Sequence, residues 1–196
     1  MTKALRWRIF VLQIGLIGIL GFVTGFAFWA GNFATSQVRD QLTAQQIFFP
    51  PAGSPAITAL PAANVSAMTA YAGQQLTTGP QAQTYANNFI GVHLKEVAGG
   101  KTYAQVSTEA LANPTNAKLA GQVATLFKGE TLRGLLLNSY GWWQIGTYAF
   151  YAAIGLLVAT VAVFLGFLFE IYRWRVSIKE TPATRLTLPT GTRAAA

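Results

Sequence analysis

One histidine, His93, and four carboxylates, Asp40, Glu96, Glu109 and Glu130, are the acid–base groups lying between two long apolar runs. A zinc or non-haem iron centre takes at least three protein ligands, so His93 with the nearby Glu96 falls short. Nucleophilic catalysis needs a Ser or Thr with a base that a third group orients. His93 is the one imidazole available, and no serine sits in an elbow motif. Glu109 and Glu130 could approach in the fold, but nothing in their spacing pairs them for glycoside chemistry. With no cysteine there is neither thiolate chemistry nor a disulfide. A glycine loop for phosphate is missing too. The inventory predicts a chain that is not an enzyme and carries no cofactor and no metal.

The elements that would position these groups are set by hydropathy. Ile9–Gly31 and Trp142–Phe169 each exceed the ~20 residues needed to cross a bilayer core as helix. The expected fold is all-α: two transmembrane helices flanking a small helical extracytoplasmic domain. Its parts are a cytoplasmic N-terminus 1–8, a first span 9–31, an outer domain 32–141 with a Pro-rich linker 50–62, a second span 142–171 and a basic tail 172–196. Lys3, Arg6 and Arg8 precede the first span, and Arg173, Arg175 and Lys179 follow the second. Basic residues beside spans stay on the cytoplasmic side, which places both termini inside a plasma membrane. The first run is too long for a signal-peptide core and lacks a good cleavage site, so it reads as an uncleaved anchor. The net charge of +8 is then mostly topology and contact with anionic lipid. Its cations are scattered, not gathered with aromatics, which argues against a nucleic-acid partner.

Both spans carry a stripe of small residues. Gly18, Gly21 and Gly25 share a face of the first; Gly155, Ala159 and Gly166, with Ala152 and Ala162, share a face of the second. Such spacing lets helices approach closely in lipid. The spans can pack on each other, on a second copy in a homo-oligomer, or on helices of an integral membrane complex. Neither span has a charge at its centre, so a channel or transporter acting alone is not expected. Trp7, Trp29, Trp142, Trp143 and Trp174 all fall near predicted bilayer boundaries.

In the outer domain, helical patterning continues from the first span through Ile47 and stops at Phe48-Phe49-Pro50-Pro51, since proline cannot extend a helix. Pro50 to Pro61 reads as an extended linker. Asn64 is expected to cap a helix reaching Thr77, and Pro80 to sit in the first turn of another, Gln81–Val97, ending at Gly99-Gly100. A helix over Thr102–Leu111 follows. Asn113-Pro114 reads as the cap of a last helix, which can continue through Glu130–Tyr140 into the second span.

Val38-Arg39-Asp40-Gln41-Leu42, Phe49-Pro50-Pro51, Tyr85-Ala86-Asn87, Val92-His93-Leu94 and Lys101-Thr102-Tyr103 precede a longer block, Leu126 to Trp143. Together they resemble a family of actinobacterial two-span membrane proteins, over about residues 5–170. Some members carry the label of LigA-type aromatic ring-opening dioxygenases. Extradiol cleavage uses two histidines and a carboxylate on iron, and one histidine cannot supply that set. The resemblance implies topology and an actinobacterial cell envelope, and no catalytic residue. It turns attention to Gly129-Glu130-Thr131-Leu132-Arg133-Gly134, where Glu130 and Arg133 offer an acid and a base between glycines. The same stretch also reads as a kink and turn joining domain to span. The expected function is an accessory subunit of a larger membrane complex, of respiratory or envelope lipid-transport type. The alternative is an outer ligand- or lipid-sensing module that relays to a separate partner.

Overall fold

The computed structural model describes residues 3–179, and the rest of the predicted tail lies outside them. Eight helical segments follow in order: α1 (Lys3–Ala44), α2 (Pro55–Thr58), α3 (Ala62–Thr69), α4 (Gly79–Thr84), a π segment (Tyr85–Ile90), α5 (Gly91–Val97), α6 (Tyr103–Ala112) and α7 (Ala117–Lys179). Among the described residues no strand forms; a single antiparallel bridge joins Phe48 to Gln75. α1 and α7 are long and apolar enough to cross a membrane, and only 6 % of the most apolar window of each is covered by the rest of the chain. A helix at the centre of a water-soluble core would be mostly covered. At 1.5 Å per residue, the 42 residues of α1 run about 60 Å, well beyond a ~30 Å hydrocarbon core.

The chain divides into two compact units. Among the described residues, 3–23 and 155–179 belong to one, and 24–154 to the other. In the first, Phe10 of α1 meets Phe167 edge-on at 5.8 Å and Trp174 at 5.9 Å.

The second unit holds the core. Val38 and Leu42 of α1 and Leu136 of α7 close on Phe49, Ile57, Leu60, Met68, Leu76, Ala82 and Ala86. Each large side chain fully buried there contributes about 1.5–3 kcal/mol. A smaller cluster gathers Leu94, Ala98, Val106 and Leu126. These contacts correct several sequence expectations. The stretch 50–62 is not an extended linker: Ser54 and Pro55 start the single turn α2, which buries Ile57, and Leu60 follows it into the core. α1 ends at Ala44, short of Ile47, and Gln46 turns the chain with φ 51°. Thereafter Phe49 N–H donates to Gln74 O at 2.9 Å and Leu76 N–H to Ile47 O at 2.8 Å, so two loops are stitched together. α3 starts after Pro61 and stops at Thr69, so Asn64 is interior to it and no helix reaches Thr77.

Other boundaries agree. Pro80 lies in the first turn of α4, where Thr78 and Gln81 form a reciprocal capping box. Thr102 and Gln105 do the same for α6. Gly99 and Gly100 take positive φ after α5. Asn113, however, closes α6, its Nδ2 donating to Glu109 O at 2.9 Å. Asn116 starts α7 instead, its Oδ1 accepting from Lys118 and Leu119 N–H. α7 then passes through 129–134 without a break, so that stretch is helix and not a turn.

Tyr85 lies between Phe49, edge-on at 5.3 Å, and Phe89, tilted at 5.0 Å, and burial raises its phenol pKa above 10.0. The unfolded chain would release that proton at lower pH than the folded one. The contribution is therefore complete below the ordinary value and is lost as pH climbs through the raised value. Between about pH 9 and about pH 11, the parent should lose more melting temperature than a Tyr85→Phe variant. Equal losses would show that Tyr85 is not the group titrating.

Candidate functional site

Glu130 and Arg133 are three residues apart on α7, and one turn of helix brings them into an ion pair of 3.2 Å. What the spacing does not reveal is their third partner. Arg133 Nη2 donates to Asn87 Oδ1 at 3.1 Å, across 46 positions of sequence. Asn87 comes from the π segment, where Gly91 N–H reaches back to Ala86 O in place of the usual carbonyl. Adjacent asparagines, Asn87 and Asn88, are poor helix-interior residues, and the wider turn accommodates them. π turns of this kind are frequent at functional sites.

Two glycines lie beside this arrangement. A Cβ on Gly91 would stand 3.4 Å from Arg133 Nε, in van der Waals contact, so the guanidinium packs directly beside this stretch of backbone. A Cβ on Gly129 would overlap the Leu94 side chain, so α7 packs closely on α5 here. Gly134, at the other end of the same stretch, faces open space. With its two terminal nitrogens held by Glu130 and Asn87, the guanidinium has a fixed plane, and its buried Nε has no hydrogen-bond partner.

This arrangement forms one wall of a cavity of about 590 Å³, a size usual for small-molecule sites. Val92, Leu94, Leu126 and Pro61 give it an apolar side. Its charged lining is Lys95, Lys101 and Arg133 against Glu96 and Glu130, three cations to two anions. Lys101 is engaged by Glu109 at 2.7 Å, an exposed pair worth at most about 1 kcal/mol. Glu109 therefore answers Lys101 and not Glu130. His93 Nδ1 lies 2.8 Å from Phe89 O and its ring 4.6 Å from that of Phe89, so the helix itself accounts for its position. Among the described residues no group of three His, Cys, Asp or Glu could hold a metal ion.

The glycine stripes have a different fate. A Cβ on Gly18, Gly21, Gly25, Gly155 or Gly166 would meet nothing within 4 Å, and Ala159 is exposed. None of these glycines has a neighbour within the chain for an added Cβ to meet. Close contact falls instead at Gly31 and Gly146, each of whose added Cβ would press on the other's carbonyl oxygen, at 2.9 and 3.0 Å. The buried seam of α1 in the second unit runs Thr24, Gly31, Thr35, Val38 and Leu42, in steps of seven, four, three and four. Gly25 stands about 100° round the helix from Thr24, and Gly155 about 200° round from the buried Ala153. The spacing of the seam was available in the sequence, and it lies on a different face from the glycine stripes.

A second recess, of about 460 Å³, lies between α1 and α7 and is lined by Gln37, Gln41, Asn138 and Ser139 together with Phe33 and Trp142. Comparison with protein-family models, with curated proteins and with solved structures gives no match.

Proposed function

We propose that this chain is a non-catalytic accessory subunit of a larger plasma-membrane complex, of respiratory or envelope lipid-transport type. In this reading α1 and α7 cross the bilayer, both termini are cytoplasmic, and residues 32–141 stand outside the cell. The observation that carries it is the uncovered small-residue face on each long helix: Gly18, Gly21 and Gly25 on one, Gly155, Ala159 and Gly166 on the other. Lipid tails are as apolar as leucine, so helices associate in membranes largely through close backbone packing. Faces of this kind suit the helix of another subunit. Exposed Trp29, Phe33 and Trp142 fit the headgroup level, fixing the depth at which a partner would be met.

The test is affinity purification in gentle detergent, with mass spectrometry of what is retained. Gly21→Leu with Gly25→Leu should lower stoichiometric recovery of partner subunits about tenfold, equivalent to about 1.4 kcal/mol. Unchanged recovery, or isolation of the parent alone or as a homo-oligomer, would sink the proposal. Because both positions face open space, the double variant should keep the parent's melting temperature.

A second reading has its own support. The cavity beside Arg133 favours an outer module that binds a small ligand and relays its presence to a separate membrane partner.

A further inference from the structure

We infer that the Arg133 cavity is a site for a zwitterionic α-amino acid with an apolar side chain, an inference that rests on the ligand-binding reading above. The argument starts from unused hydrogen-bonding capacity. A guanidinium has five N–H donors in one plane, and Arg133 uses one to Glu130 and one to Asn87. Its Nε is buried and bonded to nothing. Buried donors are nearly always satisfied, by protein, water or a bound ligand. Glu130 engages Arg133 through Oε2, and among the described residues its Oε1 has no hydrogen-bond partner.

A cationic fork and a carboxylate thus stand side by side on one wall, each with open valence. The two charges of an α-amino acid are borne on the same carbon and present the complementary pair. Its carboxylate takes the free N–H groups of Arg133, a charge-assisted arrangement that the guanidinium plane suits. Its ammonium takes Glu130. Lys95 and Glu96 repeat the two signs at the lining and keep it close to neutral, which disfavours ligands carrying a net charge of two or more. The side chain of the ligand has Val92, Leu94, Leu126 and Pro61 to lie against. A phosphate or a simple fatty acid would leave Glu130 facing an anion, and an amine would leave Arg133 Nε unpaired.

The full-length protein, glycine-labelled with ¹⁵N and held in detergent micelles, can be titrated with L-leucine. N-acetyl-L-leucine, which lacks the ammonium, and isoamylamine, which lacks the carboxylate, are the controls. Leucine should give saturable shifts at the amides of Gly91 and Gly100, which line the cavity, and leave Gly31 and Gly79 unmoved. Each single-charge analogue should bind at least tenfold more weakly. Arg133→Gln and Glu130→Gln should each weaken leucine tenfold or more, while Arg133→Lys, which keeps the charge and loses the fork, falls between. Unchanged Gly31 and Gly79 signals in the variants would show the fold intact. Should either analogue match leucine, the amino-acid assignment is overturned although the cavity still binds ligands. Should none of the three shift Gly91 and Gly100 saturably, the amino-acid assignment and the ligand reading of this cavity both fall.

Discussion

Replacing Gly79 by alanine should cost the protein about 1–3 kcal/mol, the usual penalty for forcing one extra carbon into a filled space. Gly79 opens α4, and a Cβ there would overlap Cβ and Cγ of Trp143, the inner end of that side chain and not its movable tip. Neither partner has room to retreat. Trp143 packs against the main core, and the Arg39 guanidinium lies over its ring at 5.9 Å. On the other side the chain is fixed by Gln81, whose Oε1 accepts from the N–H of Thr77 and of Thr78 at 2.8 and 3.1 Å. The same amide donates to Gln74 Oε1 at 3.1 Å. Shifting α4 outwards would break this small network before the clash was relieved. Thermal unfolding should register a fall of roughly 2–4 °C per kcal/mol for a chain of this size. Gly121→Ala is the matched control. It stands in α7 with nothing within 4 Å, so alanine there removes a helix-interior glycine and should raise stability by up to about 1 kcal/mol. Two identical substitutions would then have opposite signs. Equal effects would show that Gly79 is not held against Trp143.

That contrast also marks what could be read from the residues alone. Glycine supplies the same letter at 79, 121 and 25, and only the neighbouring backbone decides what each does. The long apolar runs were legible because hydropathy over twenty residues outweighs any local ambiguity. Pro80 and the pair Gly99-Gly100 were legible because their backbone preferences hold in any context. The path of 50–62 was not, since Ile57 and Leu60 have their partners in α1, α3 and α4 and no pattern of their own. Asn113 and Asn116 are equally good capping residues, and the choice went to the one that did not have to finish α6. For the candidate site, Glu130 and Arg133 could be paired from helical spacing. Asn87 could not, because its approach to Arg133 depends on a π turn that tertiary packing selects.

The other large effect is expected at Gly146, where leucine should separate α1 from α7 within the second unit. The backbones come close enough there that an added carbon at 146 would stand 2.8 Å from Thr35 Cγ2, 3.0 Å from Gly31 O and 3.2 Å from Ala34 Cβ. Three neighbours on one helix, one of them backbone, cannot all swing aside. Thr35 is further tied down, its hydroxyl donating to Gly31 O at 2.9 Å. Leucine adds three carbons beyond that first one, so the helices must move apart locally. The adjoining contact between the Phe28 and Phe150 rings, now 6.2 Å apart, should be lost with it. The chain has no native cysteine, which makes the test clean. Cysteines placed at Phe28 and Phe150 should be joined efficiently by a short bis-maleimide in the parent and several-fold less in the Gly146→Leu background. Gly155→Leu, on an open face of the same helix, should leave the yield unchanged. If Gly146→Leu cross-links as well as the parent, the close approach at 31 and 146 is not what holds these helices together. If Gly155→Leu also lowers the yield, the open face is itself in contact with another helix.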